Sequence, residues 1–213
     1  MFEDFGSFLM NMIAGLPGII IAMVIHEYAH ARVAVALGDF TPKMMGRLTL
    51  SPMAHLDPVG LLMLLVAHFG WAKPVQINPY NFENPKRDDI LVSAAGPAAN
   101  LITAFFTMLV IVLMIKFSVP MSDGMNYVLN LIMIININFA IFNMLPLPPL
   151  DGSHILKQIL PYELARKFEI LEDPRYSLMI LIIILVTPVV SFILIPLQRL
   201  ILGIFQAIAG IIL

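Results

Sequence analysis

The run His26-Glu27-Tyr28-Ala29-His30 contains the residue types and the spacing of a zinc hydrolase site. On an α-helix, positions i and i+4 lie one above the other on one face, so the two imidazoles can bind a single metal ion. Glu27 directly follows the first histidine and is placed to act as general base toward water activated by that metal. The spacing therefore predicts a catalytic site with His26 and His30 as metal ligands.

These residues lie in an apolar run, about residues 7 to 37, that ends at Gly38. Ionisable groups at the middle of a bilayer cost roughly 2.5 to 3.5 kcal/mol each on insertion scales, which makes them candidates for function. The alternative is that the polar groups line an interior contact between helices. Three such groups within five residues of one apolar helix favour the metal site.

A third ligand must come from elsewhere in the chain, because a catalytic zinc usually has three protein ligands. The sequence has no cysteine, so the ligand is a histidine or a carboxylate. The donors near apolar segments are His55, His68, His154, Asp57 and Asp151. Asp151 is the best candidate, although it could instead be a turn residue before Gly152. His55, His68 and His154 are predicted not to be ligands, and His154 is the one expected to lie near the site.

The composition indicates an integral membrane protein. Of 213 residues, 60% are hydrophobic and 12% charged, and the mean hydropathy is +0.92. That is too apolar for an ordinary soluble domain. A net charge of −2 with scattered Lys and Arg offers no basic patch for nucleic acid. We therefore expect a lipid bilayer around the chain and no nucleic-acid partner.

The apolar runs predict an all-α multipass fold with about four to five transmembrane helices. A short re-entrant or β-hairpin region is expected after the first helix, with residues 43–50 as a strand whose edge could pair with an unwound substrate. The last run is too long for one crossing and is predicted to break near Pro188 or Pro196. The runs after the first cover residues 59–69, 90–116, 125–146 and 177–213.

Residues 59–69 are predicted not to cross the membrane, because about eleven apolar residues are fewer than the roughly 17 that a crossing needs. With the N-terminus outside, the cytoplasmic segments then contain ten basic residues, and only Lys116 and Arg199 lie elsewhere. This distribution fits the positive-inside rule. Two crossings then separate His30 from Asp151, so the third ligand returns to the side where the first helix ends. The active site is accordingly expected toward the cytoplasmic side of the cell membrane.

Three motifs together resemble the site-2 proteases, a family of zinc intramembrane metalloproteases. They are the His26 to His30 run, the segment Gly96-Pro97-Ala98-Ala99-Asn100, and the segment Asn143-Met144-Leu145-Pro146-Leu147-Pro148-Pro149-Leu150-Asp151-Gly152. The segment Phe69-Gly70-Trp71-Ala72-Lys73-Pro74-Val75 is similar to the compact members. The family's frequent Asn-Pro-Asp-Gly is Pro-Leu-Asp-Gly here, which keeps the Asp-Gly pair.

The resemblance implies one zinc per chain held by His26, His30 and Asp151, with Glu27 as general base. It also implies that Asn100 and Asn143 lie near the reacting carbonyl. For both asparagines, interhelical hydrogen bonding is an equally good interpretation, and Gly96 with Asn100 could simply form a close helix contact. The family's PDZ and CBS modules have no room in this chain. We therefore expect one membrane-embedded domain over residues 1–213, with a catalytic core at about 7–155 and C-terminal hydrophobic helices at 177–213.

The predicted activity is hydrolysis of peptide bonds in or near transmembrane segments of other proteins. A substrate helix must unwind locally before attack, so helix-weakening residues near the scissile bond should help. A membrane metal-ion transporter or sensor could use the same His and Asp residues, but it would have no need for Glu27. A zinc hydrolase acting on lipid or another ester is a further alternative. Homo-oligomerisation stays open.

Overall fold

Helices account for almost all the regular structure in the part of the chain that the computed structural model describes, residues 2–60, 63 and 72–213. An isolated antiparallel bridge joins Leu56 to Ala72. Short 3-10 turns cover Pro79–Asn81 and Glu169–Glu172. The helices are α1 (Phe2–Ala36), α2 (Thr41–Met44), α3 (Pro52–His55), α4 (Pro85–Lys116), α5 (Asp123–Asn143), α6 (Asp151–Ile159), α7 (Tyr162–Phe168), α8 (Pro174–Val186) and α9 (Val189–Ile212).

Four of these helices are long and apolar enough to span a membrane, in agreement with the predicted all-α class. The spanning portions are Met10–Ala36, Pro85–Lys116, Asp123–Asn143 and Ser191–Ile212. A shorter apolar helix covers Pro174–Ile184. Because a helix satisfies its own backbone hydrogen bonds, it is the element that such apolar runs can form in lipid.

The ends of the helices follow signals that are visible in the sequence. Gly38 has a φ of +103°, the left-handed conformation that terminates a helix, and α1 ends two residues before it. Ser122 accepts a hydrogen bond from the backbone N–H of Met125 and so caps α5. The predicted break in the last apolar run lies at Thr187 and Pro188, between α8 and α9, whereas Pro196 lies inside α9.

The prediction of a strand at residues 43–50 is wrong. Pro42 occupies the first turn of α2, where its fixed φ favours a helical start. The chain then closes on itself through a hydrogen bond from the Arg47 N–H to the Pro42 carbonyl at 2.8 Å, and Gly46 has a φ of +70°. Because this backbone bonds locally, residues 43–50 offer no strand edge to a substrate. The predicted re-entrant segment 59–69 lies largely outside the described residues.

Helices α1, α4 and α5 pack together and form the centre of the bundle, with α9 against α4 and α5. Buried side chains of α4, α5 and α9 form one apolar core, comprising Ala104, Met108, Val112, Met133, Ile137, Ile141 and Phe205. Helices α1 and α5 approach closely at Gly18. A Cβ added there would lie 2.9 Å from Ile135 Cδ1 and 3.1 Å from the Cα of Ile132. The missing side chain therefore lets the two helix backbones come together.

We expect Gly18→Ala to lower the free energy of unfolding by about 1 to 3 kcal/mol, because the added methyl group overpacks a contact with backbone. The matched control is Gly15→Ala, three residues earlier on the same helix, whose Cβ would meet Ile135 Cδ1 at an ordinary 3.8 Å. It should be neutral or stabilising, since alanine favours a helix over glycine by about 1 kcal/mol. Thermal unfolding in detergent measures both. Equal melting temperatures would contradict the close contact.

Candidate metal centre

Three side chains from two distant parts of the chain converge at the centre of the bundle, and we call His26, His30 and Asp151 the ligand group. Asp151 Oδ2 lies 3.1 Å from His26 Nε2 and 3.4 Å from His30 Nε2. One ligand atom from each residue lies within 4.8 Å of the others, and both histidines are buried. Among the described residues, no other group of three or more His, Cys, Asp or Glu side chains meets in this way.

The ligand group fits a metal ion. Asp151 Oδ2 is buried and has no hydrogen-bond donor among the described residues. Both histidines engage their Nδ1 atoms elsewhere, so each Nε2 can present its lone pair to the same point as the carboxylate oxygen. Tetrahedral zinc, with bonds of about 2.0 to 2.2 Å, places its ligand atoms roughly 3.3 to 3.6 Å apart. The two separations that involve Asp151 Oδ2, 3.1 and 3.4 Å, are near that spacing.

Asn100 fixes the ring orientation of His26. Its amide N donates to the carbonyl of Ala22 and to Asn136 Oδ1, each at 2.9 Å. Its Oδ1 therefore faces His26 Nδ1 at 2.7 Å and accepts the proton of that nitrogen. Both amide N–H groups are thus occupied, so Asn100 has no donor left for a reacting carbonyl. It supports His26 through hydrogen bonds between helices, the alternative interpretation that the sequence left open.

His30 is held by the backbone of α4, where its Nδ1 lies 2.7 Å from the Val92 carbonyl and donates to it. The helices come this close because Gly96 has no side chain. A Cβ at Gly96 would lie 2.5 Å from His30 Nε2 and 2.6 Å from His26 Cε1. Both imidazoles therefore pack directly against the Gly-Pro segment of α4.

Asp151 is the first residue of α6, and Gly152 allows that helix to begin directly against the end of α5. A Cβ at Gly152 would lie 2.3 Å from the Met144 carbonyl oxygen. Further along α6, the Gln158 amide donates to Asp89 Oδ2 at 2.8 Å and ties the helix to α4. Its carboxylate oxygen Oδ2 faces the Nε2 atoms of His26 and His30 at 3.1 and 3.4 Å. A deprotonated carboxylate is the form that binds metal.

Glu27 lies beside the ligand group and is half-buried. Its Oε2 accepts a hydrogen bond from the backbone N–H of Val75 at 3.0 Å. The chain thus holds one carboxylate oxygen, and the other accepts no hydrogen bond from the residues that the structure describes. That arrangement suits a general base.

The remaining candidates lie apart from the ligand group or on its margin. Asn143 is half-buried, and its amide donates to the Phe139 carbonyl of its own helix at 2.9 Å. The His154 side chain is exposed, which does not support its predicted place near the site. His55 is fully buried against the Thr49 carbonyl at 2.7 Å, and Asp57 caps the following turn through the Val59 and Gly60 amides. His68 lies outside the described residues.

Sequence reasoning gave Asn136 no role and quoted Val75 only within a motif, whereas it considered Gly96 with Asn100 as a close helix contact. Gly96 had a usable signal, because it lies four residues before Asn100 in a helix and so shares a face with it. Asn136 also had one, since a polar amide in an apolar helix needs a partner. Val75 contributes only its backbone N–H. Since nearly every residue type has that group, the sequence contained no sign of the contact.

Comparison with known proteins gives consistent matches. A model described as "Peptidase family M50" matches residues 111–188. Among proteins named "Putative zinc metalloprotease", YwhC of Bacillus subtilis is 39% identical over 197 residues, 89% of each chain. Rip2 of Mycolicibacterium smegmatis is 28% identical over 87% of this chain and 71% of its own. Rip2 of Mycobacterium tuberculosis H37Rv is 26% identical over 83% of this chain and 68% of its own. No solved structure matches significantly.

We expect Asn100→Ala to weaken zinc binding by about ten- to hundredfold, because residues that orient a metal-binding histidine have effects of this size. The control is Asn130→Ala, since Asn130 is half-buried and among the described residues bonds only to Asn126, one turn earlier in its own helix. Competition with a chromogenic chelator measures the affinity in purified protein. Wild-type affinity in Asn100→Ala would contradict the support of His26 by this amide.

Proposed function

This chain belongs to peptidase family M50, and we propose that it hydrolyses peptide bonds within or next to the transmembrane segments of other membrane proteins. The family, the named relatives and the four apolar helices make it a membrane metalloprotease that uses zinc. The finer statement, cleavage inside the bilayer, is our proposal. The observation that carries it is the position of His26 and His30 within the apolar helix α1.

The depth of the site supports an intramembrane substrate. His26 lies ten residues before the end of α1, which corresponds to about 15 Å along the helix at 1.5 Å per residue. The hydrocarbon core of a bilayer is about 30 Å thick. A site at that distance from the end of a spanning helix would meet substrate segments that are themselves in the membrane.

We assign the chemical roles by contact. His26, His30 and Asp151 would hold the zinc ion, which when bound lowers the pKa of water and polarises a carbonyl. Glu27 accepts the proton of the attacking water and passes it to the leaving amine. Asn143 is the remaining candidate to contact the scissile carbonyl, because only one of its two amide N–H groups has a partner among the described residues.

The cytoplasmic orientation of the site is part of the same proposal. The end of α1 meets the segment before α4 through Asp39 and Asn78, and the start of α4 meets α6 through Asp89 and Gln158. These elements lie at the end of the bundle where most Lys and Arg residues occur in the sequence. Basic residues are concentrated on the cytoplasmic side of multipass membrane proteins.

The rival functions are less well supported. A metal transporter usually lines a path with several charged sites, and the described residues contain one ligand group. Glu27 is not a member of that group, and a transporter would not need a carboxylate held beside it. A zinc hydrolase acting on a lipid ester would use the same residues. Substrate assays therefore decide between the proposed peptidase and a lipid-ester hydrolase.

We expect Glu27→Gln to keep zinc and to lose peptide cleavage by at least about a hundredfold, because a general base contributes 10² to 10⁴ to rate. The probe is a tagged single-pass membrane protein with a Gly pair in its span, and its all-leucine counterpart should resist cleavage. Metal content and product bands measure the two properties. Unchanged cleavage by Glu27→Gln would overturn the proposal.

We expect Asp151→Ala to lose both zinc and cleavage, because it removes a ligand. Asp57→Ala is the matched control, since Asp57 accepts hydrogen bonds only from the Val59 and Gly60 amides among the described residues. Zinc content and cleavage of the same tagged probe are measured in both variants. Hydrolysis of a phospholipid ester with no cleavage of the membrane probe would favour the lipid hydrolase instead.

A further inference from the structure

Asp39 is a fully buried carboxylate that the reaction does not use. It lies three residues after the last residue of α1. Negative charge is unfavourable near a helix C-terminus, and a buried charge is costly unless other groups satisfy it. A residue of this kind needs a reason for its position.

The partners of Asp39 lie in two separate parts of the chain. Thr41 donates to it from its backbone N–H at 3.0 Å and from its hydroxyl at 2.6 Å. The other two donors are the Asn78 backbone N–H at 2.8 Å and the Asn81 amide at 2.7 Å. The carboxylate therefore fastens a segment about forty residues away to the end of α1.

Hydrogen bonding, and not a basic side chain, keeps Asp39 charged. Burial would raise the pKa of Asp39, but the hydrogen bonds from Thr41, Asn78 and Asn81 outweigh it and lower the pKa below its ordinary value. No Lys or Arg forms an ion pair with it in the part of the chain that is described. The charge therefore interacts with backbone N–H groups, a side-chain amide and a hydroxyl group.

Residues 72–81, which we call the strap, run from this anchor to the active site. At the other end, the Lys73 N–H donates to the His55 carbonyl at 2.7 Å. Between the two anchors, residues 73–78 form no helix, and the Val75 N–H bonds to Glu27 Oε2. Three residues of chain join Val75 to Asn78, a distance of about 10 Å when extended, so a shift at Asn78 moves Val75.

We propose that Asp39 is a positioning residue for Glu27. By fixing Asn78 and Asn81, it holds the strap so that the Val75 N–H orients one oxygen of the Glu27 carboxylate. The other oxygen is left to handle the proton. This inference rests on the proposed role of Glu27 as general base, and it goes beyond that role by naming what aims the carboxylate.

The first experiment uses full-length, zinc-loaded Asp39→Ala with the tagged membrane probe. We expect kcat to fall by about ten- to hundredfold, since a misplacement of about 1 Å can cost that much. KM and zinc affinity should stay within about twofold of wild type. The matched control is Asp88→Ala, which removes another buried aspartate whose partners, Asn84 and Arg87, lie outside the strap. It should keep a near-wild-type kcat.

A second variant, Val75→Pro, removes the same hydrogen bond from its donor side. If Asp39 acts through Val75, the double variant should be no slower than Val75→Pro alone. Wild-type kcat in Asp39→Ala would overturn the proposal. So would an equal loss in Asp88→Ala, or a fall in zinc affinity that parallels the fall in kcat, because either would indicate general structural damage.

Amide hydrogen exchange of the strap tests the physical link without using activity. Asp39→Ala and Glu27→Ala should both speed exchange at Val75, and Asp88→Ala should not. Unchanged exchange in Asp39→Ala would overturn the link between Asp39 and the strap. If instead Glu27→Gln retains cleavage while exchange changes as expected, the proposed base fails and the mechanical link stands, so the two failures are distinguishable.

Discussion

The convergence of three lone-pair atoms in an apolar helical bundle is the constraint on which the rest of the structure depends. Asp151 Oδ2 and two imidazole nitrogens lie within 4.8 Å of one another, with no hydrogen-bond donor for the carboxylate oxygen among the described residues. Such atoms repel one another unless a cation lies between them, and lipid offers no water to separate them. The helices must therefore hold the three atoms rigidly in positions from which they can bind one metal ion.

That rigidity comes from places where a side chain is absent. Gly96 lets α4 lie against both imidazoles, Gly152 lets α6 begin beside the end of α5, and Gly18 lets α1 meet α5. Each contact leaves less room than a methyl group needs. Buried amides then hold these closely packed helices in place, because Asn100 and Asn136 connect α1, α4 and α5 through one chain of hydrogen bonds.

Sequence patterns predicted the helical elements well and the irregular elements poorly. Runs of about twenty apolar residues have few alternatives in a membrane, so the spanning helices and the break at Pro188 agree with expectation. The segment 43–50 has weak alternation, and Pro42 with Gly46 decided its local turns. The sequence left two interpretations of Asn100 open, because its hydrogen-bond partners depend on which helices face it. Residue type alone does not show that.

The sequence by itself predicted the chemistry, since His26, Glu27 and His30 at helical spacing in an apolar run indicate a metal, a base and a membrane. It also indicated Asp151 by counting crossings. Only the tertiary structure decided how these groups are aimed. The Asn100 amide, the Val92 carbonyl and the Val75 N–H act on them from distant segments. Hydrogen bonds form between groups close in space, and two of these donors and acceptors belong to the backbone, which every residue type shares.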